Sequence, residues 1–562
     1  MIKQSQQKKM GWFASGSPWI WLNAGAVSLC MIMVVGLLAL IAVRGFGHFW
    51  PTAVVSIEVT DGETTRTIMG EMVRKETLSA VVARDAGLKV SDTADLVNRH
   101  LIKMGNRDVD GRDFVWFLED TLGEYQYHKN AMVVERRSWG HFYGYPLAIK
   151  VDGEVIHTAD AEDFNERLFA ELKKANHLHD DITSIEKSDI GKINREIQKL
   201  RLDYRRLELS GANDQQLALA KAQLEDQERV LDKQYQQVKQ IRDDLMRNAE
   251  RVSLVAKTAS GKEVDIKFAN MVRVTFPNDL NTFQKVGNYL DRFWEFVSDE
   301  PREANTEGGI FPAIFGTVTM VIVMSIIVCP FGVLAAIYLR EYAKQGPVLK
   351  LIRISVYNLA GVPSIVYGVF GLGFFVYTLG GSLDQLFYQE SLPSPTFGTP
   401  GLFWASLTLA LLTLPVVIVS TEEGLSRIPS TIRQGSLALG ATKAETLWKV
   451  VVPLATPAMM TGLILAIARA AGEVAPLMLV GVVKLAPSLP IDGNYPYLHL
   501  DQKIMHLGFH IFDVGFQSPN VEAARPLVYA TALMLVILII ALNMTAIKIR
   551  NNLREKYKSA AD

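Results

Sequence analysis

Six stretches of this sequence are long and apolar enough to cross a lipid bilayer, and that fact constrains everything the rest of the chain can do. Hydrocarbon about 30 Å thick needs roughly 20 helical residues, because backbone in lipid must satisfy its own hydrogen bonds. Residues 19–43, 311–338, 355–379, 402–420, 457–483 and 527–547 meet that length. The predicted fold is therefore an α-helical polytopic membrane protein with six transmembrane helices. The first stretch outruns the apolar core of a secretory signal and no small-residue cleavage site follows it, so it is expected to remain as an anchor. With 49% of its residues hydrophobic and 21% charged, the 562-residue chain must sort the two into separate blocks.

The basic residues orient the protein. Lys3, Lys8 and Lys9 precede the first span; Arg340, Lys344, Lys350 and Arg353 fall between the second and third; Arg427, Arg433, Lys443 and Lys449 fall between the fourth and fifth. The tail adds Lys548, Arg550, Arg554, Lys556 and Lys558, whereas residues 380–401 contain no Lys or Arg. By the positive-inside rule these basic segments are cytoplasmic, as are both termini. Residues 51–309 and 484–525 then face the other side, which in a Gram-negative bacterium is the periplasm. The net charge of −1 says little about partners, and no nucleic-acid partner is expected. Cys30 and Cys329 both fall inside apolar spans, so no disulfide framework is visible in the exported part.

That exported part, residues 51–306, is long enough to bury its own core. Short strands are predicted at residues 56–60, 147–151, 252–258, 263–268 and 272–276, with turns at Asp152-Gly153 and Ser260-Gly261, making an α+β domain. In its middle, Ile190, Ile193, Ile197, Leu200, Tyr204 and Leu207 alternate steps of three and four. Beyond a turn at residues 210–213, Leu217, Leu224, Leu231, Val238 and Leu245 recur every seventh residue. The pattern predicts an antiparallel coiled-coil hairpin over residues 185–247, with arms of about 27 residues reaching roughly 40 Å. It reads either as a docking or spacing device or as a packing arm. His177 and His179 beside Asp180 and Asp181 read as a solvated cluster, and no metal site is expected.

Between the fourth and fifth spans, residues 422–456 form the most specific cytoplasmic feature. Thr431 with Gln434, and Thr442 with Glu445, each place a hydroxyl three residues before a side chain that can cap back, which is a helix start. Gly440 sits between them where a left-handed helix end favours a residue without Cβ, and Pro453 is expected to close the second helix. Leu447, Trp448 and Val451 give that helix an apolar face for a groove on a soluble partner. The segment QGSLALGATKAETLWKVVVPLA resembles the ATPase-docking loop of ABC-importer permeases, although Gln434-Gly435-Ser436 stand where the family begins Glu-Ala-Ala. No phosphate-binding loop GxxxxGK[ST] occurs in the chain, so ATP and Mg²⁺ belong to a separate ATPase. With no nucleophile elbow or zinc spacing either, the chain is not expected to be an enzyme, and no catalytic residue is assigned.

Charges within the bilayer are costly and usually functional. Arg469 and Glu473 lie four residues apart in the fifth stretch, where they can pair on one face and a passing anion can compete for the guanidinium. LAIARAAGEVAPLMLVG around them resembles the corresponding segment of phosphate-importer permeases of the PstA type. GGIFPAIFGT, IYLREYA, GVPSIVYGVFGLGFF, LPVVIVSTEEGLSRIP and ALNMTAIKIR resemble that family in the same order. The similarity covers residues 308–550, leaving residues 551–562 as a tail. It implies inorganic phosphate as cargo, a second permease of the C type, two copies of a cytoplasmic ATPase and a periplasmic phosphate-binding protein. Thr317 and Ser364 are weaker candidates for lining the path, and Gly361, Pro363 and Gly368 for bending or packing the third span. Another oxyanion, such as sulfate, molybdate or phosphonate, would suit the same arginine. A membrane sensor with an exported coiled-coil domain is the reading from a different class, against which stand the short internal segments.

Overall fold

A computed structural model describes residues 16–61, 64–85, 90, 95–493, 495–518 and 521–558; Lys3, Lys8 and Lys9 lie outside them. Among the described residues, six helices long and apolar enough to cross a membrane run Ser17–Gly47, Phe311–Tyr342, Ser364–Phe387, Leu402–Ser426, Lys443–Gly472 and Ala524–Glu555, here spans 1 to 6. Two differ in place from the sequence expectation. Span 3 begins at Ser364 rather than 355, because Gly361 and Pro363 separate it from a preceding helix, Pro347–Leu359. Proline cannot donate its nitrogen and pushes the residue before it out of the helical region, so the chain turns there. Tyr367 spans the break, its hydroxyl donating to the Leu359 carbonyl at 2.5 Å. Span 5 ends at Gly472 rather than 483, and the apolar residues beyond it form the short helix Leu477–Val480. Hydropathy alone could not separate that helix from the span, since both are buried and apolar.

Spans 2, 4 and 5 form the membrane core, with Met320, Met324 and Val328 against Leu409, Leu412, Ala466 and Ala470. Small residues set their spacing: a Cβ at Gly332 would sit 2.6 Å from Val417, and one at Gly424 would sit 2.4 Å from Ala458. Helices drawn this close rely on van der Waals contact, since lipid supplies no hydrophobic force between them. Span 1 packs along span 6, with Gly45 against Leu533 and Tyr529, and leaves its other faces exposed.

The large domain between spans 1 and 2 is built on two antiparallel sheets. Strands β1 (Val54–Asp61), β2 (Thr64–Ser79), β3 (Leu96–Lys103), β4 (Phe114–Leu118) and β5 (Leu122–Gln126) pair in the order β4-β3-β2-β1-β5. Strands β6 (Met132–Arg136), β7 (Phe142–Val151), β8 (Glu154–Thr158), β9 (Val252–Lys257), β10 (Glu263–Lys267) and β11 (Met271–Thr275) form the other, ordered β10-β9-β7-β6-β11 with β8 on β7. All five predicted strand regions are occupied; the long β2 and its partner β3 were not foreseen, their charged, threonine-rich faces hiding the alternation. Phe164, Leu168 and Leu172 cover the second sheet, packing on Met132, Val134 and Phe142.

From that helix the hairpin rises. Its first arm runs Phe164–Ser184, through a π turn Ile185–Ile190, into Gly191–Leu209; its second is Asp214–Glu250, 37 residues. Both arms are longer than predicted, because the helix covering the sheet runs on into the first without a break. Asn213 and Gln216 cap the second arm reciprocally, and Arg201 pairs with Glu228 across the hairpin at 2.6 Å. His177 Nδ1 lies 3.1 Å from Asp181 Oδ2 on an exposed face. Ion pairs also tie the first arm to segments next to the spans: Lys187 pairs with Glu300 just before span 2, and Arg206 pairs with the buried Glu390 between spans 3 and 4.

Candidate functional site

Two groups of predicted residues occupy opposite ends of the membrane region. The first sits where span 5 stops. Arg469 is in the last helical turn, and Glu473 follows Gly472 with extended geometry (φ −75°, ψ 139°). The two are therefore not on one helical face as expected. They nonetheless meet, Arg469 Nε lying 3.5 Å from Glu473 Oε1, each side chain partly exposed. The chain then turns through Pro476, and Val482 and Ile504 pair as a parallel bridge. Such irregular backbone beside the spans is supported only where protein satisfies it. Here Gly401 N donates to Val480 O at 3.0 Å and Val483 N to Ile504 O at 3.0 Å. Gly368 of span 3 fits because it lacks a side chain: a Cβ there would lie 2.7 Å from Pro476 Cα. Its predicted packing role is thus filled by the turn after span 5.

Thr317 and Ser364 part company. Thr317 is fully buried; its hydroxyl donates to Ala313 O at 2.7 Å and accepts from Leu507 N at 3.0 Å. Its hydroxyl faces no path, and the expectation that it lines one is corrected: it ties span 2 to the segment before span 6. His506 in that segment is buried, and burial lowers its pKa to about 4. The neutral ring accepts from Gly508 N through Nδ1 at 3.1 Å. Ser364, partly buried, is the first residue of span 3.

The second group is the loop between spans 4 and 5. A helix Ser430–Ala438 is followed by Gly440 at φ +88°, then by a helix from Lys443. Glycine suits this turn because an L residue with a Cβ is strained there. Thr442 and Glu445 form the predicted capping box: Glu445 N donates to Thr442 Oγ1 at 3.2 Å, and Thr442 N to Glu445 Oε2 at 3.0 Å. Three expectations for this loop need correction. The box at Thr431 and Gln434 does not form, since Pro429 holds the cap position and fixes the start through its own φ. Pro453 does not end the second helix, which continues through a π turn, Leu447–Val451, into span 5, with the proline directly after that turn. Leu447 and Val451 are 3% and 0% exposed, packed on Leu425, Ile428 and Met459. Only Trp448 of that face is open.

What the loop presents instead is Leu437, Leu439 and Trp448, with Leu439 91% exposed. No local pattern singles out Leu439, which stands at the C-cap of the helix Ser430–Ala438, one residue before Gly440. Gln434 and Glu445 are exposed at the rim. Beneath, Arg433 holds the loop to span 2, donating to Glu341 Oε1 at 2.9 Å and to the carbonyls of Leu425 and Ile428 at 2.8 Å each. Lys443 donates to Glu341 O at 2.6 Å and lies over the Tyr342 ring. Nearby, Arg353 and Glu422 pair at 2.5 Å, a contact between distant segments that no local pattern announces.

Spans joined by a clamped helix–glycine–helix loop define the permease fold of ABC importers. The chain belongs to the family of binding-protein-dependent transport system inner membrane components, which matches residues 328–554. It is 36% identical to the phosphate transport system permease protein PstA of Mycobacterium leprae over 239 residues, 42% of this chain and 69% of that one. PstA 1 of Mycobacterium tuberculosis is 33% identical over 43% of this chain and 71% of its own length. A probable PstA of Methanocaldococcus jannaschii is 29% identical over 42% and 74%. Among solved structures, a chain of the MetNI methionine ABC transporter in an inward-facing conformation aligns with 43% of this chain and 94% of its own, at 18% identity and a TM-score of 0.30.

Proposed function

We propose that this chain is one of two membrane subunits of an ATP-driven importer of inorganic phosphate. The observation that carries the reading is the likeness to proteins named phosphate permeases over 239 and 246 residues, together with a family match over residues 328–554 that takes in Arg469, Glu473 and the loop between spans 4 and 5. A second permease of the C type would complete the path, two cytoplasmic ATPases would bind ATP and Mg²⁺, and a periplasmic binding protein would deliver phosphate. The basic loops and both termini lie in the cytoplasm of an inner-membrane protein, and the large domain in the periplasm.

Arg469 is the anion contact. Its planar fork can donate two parallel hydrogen bonds to a tetrahedral oxyanion. Glu473 occupies it when the path is empty, and because Glu473 lies beyond the helix end it can swing aside without unwinding span 5. Ser364 lines the path, and Thr317 holds its surroundings in place. At the other end Leu437, Leu439 and Trp448 enter a groove on the ATPase, with Gln434 at the rim. Gly440, Thr442, Glu445 and Leu447 keep the loop in shape.

Uptake of radiolabelled phosphate in cells lacking the chain, with and without it restored, tests the reading. Restored uptake that persists in excess sulfate is expected. Equal competition by sulfate would sink the choice of cargo.

A further inference from the structure

The helix Thr282–Ser298 joins the large domain to the membrane region, and its three faces have different surroundings. Asn281 and Gln284 cap its start reciprocally. One side is charged and grips the domain: Arg292 Nη2 lies 2.7 Å from Glu135 on β6, and Glu295 pairs with Arg273 on β11 at 2.6 Å and with Arg302 at 2.8 Å. Burial would raise the pKa of Glu135, but Arg292 and Arg273 outweigh it and hold the carboxyl well below the usual range. The next side is aromatic and seats on the end of span 1. Phe293 stacks edge-on to Phe49 with centroids 5.3 Å apart, Phe296 lies 5.1 Å from Phe49, and Tyr289 lies 6.2 Å from Trp50.

The third side is apolar and bare. Phe283, Val286, Leu290 and Trp294 recur in steps of three and four, and Phe283 and Trp294 are 89% and 68% exposed. At 3.6 residues per turn these four, with the seated aromatics, make one continuous apolar arc of roughly 160°. Half of that arc packs on the ends of the spans; the other half continues past them at the same level. The charged side above it is taken up by the domain. What lies level with the end of span 1, whose flanks are themselves apolar and exposed, is lipid.

We propose that Thr282–Ser298 is an interfacial helix lying in the headgroup region of the leaflet on the large domain's side, with Phe283, Val286, Leu290 and Trp294 dipped into lipid. A large separation of apolar and charged faces, with aromatic residues at the boundary, is what holds such helices in the interface plane. The domain then rests on the bilayer as well as on the spans. The reading does not depend on the cargo.

The full chain, with Cys30→Ser and Cys329→Ser, is labelled with a nitroxide at Phe283→Cys, Leu290→Cys or, on the polar side, Asp291→Cys, and placed in phosphatidylethanolamine and phosphatidylglycerol nanodiscs. Collisions with oxygen and with a nickel chelate are compared. Labels at 283 and 290 should collide several-fold more with oxygen than with nickel, and the label at 291 should reverse that ratio. Free collision with nickel at 283 and 290 would mean a solvated helix and overturn the proposal. Exclusion of both probes at those two sites would mean a protein partner and overturn it equally.

Discussion

Arg469 is the residue on which the proposed cargo contact turns. Glu473 pairs with its guanidinium at 3.5 Å where span 5 ends. A charge-assisted hydrogen bond from this guanidinium to an anionic cargo contributes about 1.5–3 kcal/mol, a factor of about 10–100. Arg469→Ala is accordingly expected to lower phosphate uptake by about that factor, with normal membrane insertion, and Arg469→Lys is expected to remain impaired because an ammonium lacks the fork. Full uptake with lysine would exclude two-point contact. Two neighbours in the coupling loop should separate cleanly. Leu447→Ala empties a buried site and should cost about 2–5 kcal/mol in stability, seen as a lowered unfolding temperature. Trp448→Ala, at an exposed position, should leave that temperature alone and reduce ATP-driven uptake. His506 gives a pH signature. Its folded pKa of about 4 lies below the unfolded value of about 6.5, so stability is complete above 6.5 and falls by roughly 1.4 kcal/mol per unit as pH drops toward 4. Unfolding temperatures between pH 7 and 5 should fall less steeply in His506→Gln, whose amide oxygen can still accept from Gly508.

At the scale of elements, the coupling loop depends on one backbone conformation. Gly440 stands at φ +88° with open space around it, so the penalty for a side chain is torsional rather than steric. Gly440→Val should cost about 1–2 kcal/mol locally and uncouple uptake from the ATPase, while Gly440→Asn, which tolerates the left-handed region, should retain most of it. Equal loss in both would show that the side chain blocks docking. Much of this loop was legible, because capping boxes and helix-ending glycines are local chemistry; Thr442, Glu445 and Gly440 stand where the pattern put them. The orientation of Leu447 and Val451 was not, since an amphipathic face can meet either a partner or the protein's own spans, and Leu425 and Ile428 decide it from elsewhere in the sequence. Similarly, hydropathy located all six spans but could not see that Pro363 breaks one and Gly472 ends another. Glu473 moved off the helix for that reason, and Thr317 is buried because a segment 190 residues later reaches back to it. In the large domain the two sheets were only partly visible: β2 carries too many polar residues for alternation to show.

For the molecule as a whole, charge placement predicts that the two functional groups are reached from opposite sides of the membrane. Maleimide labelling of intact cells should modify Ser260→Cys in the large domain and spare Gln434→Cys in the coupling loop, and inverted vesicles should show the reverse. Labelling of both from one side would contradict the assigned topology. The hairpin adds a mechanical condition. Lys187 and Arg206, nineteen residues apart on the first arm, are fastened to Glu300 before span 2 and to Glu390 between spans 3 and 4. A helix rises about 1.5 Å per residue and does not stretch, so the arm acts as a bar of about 28 Å between those anchorages. The Lys187–Glu300 pair is exposed at both partners and holds by about 1 kcal/mol or less. Any spreading of the second and third spans on that face must therefore unfasten one end of the bar first, and thermal energy suffices to do it.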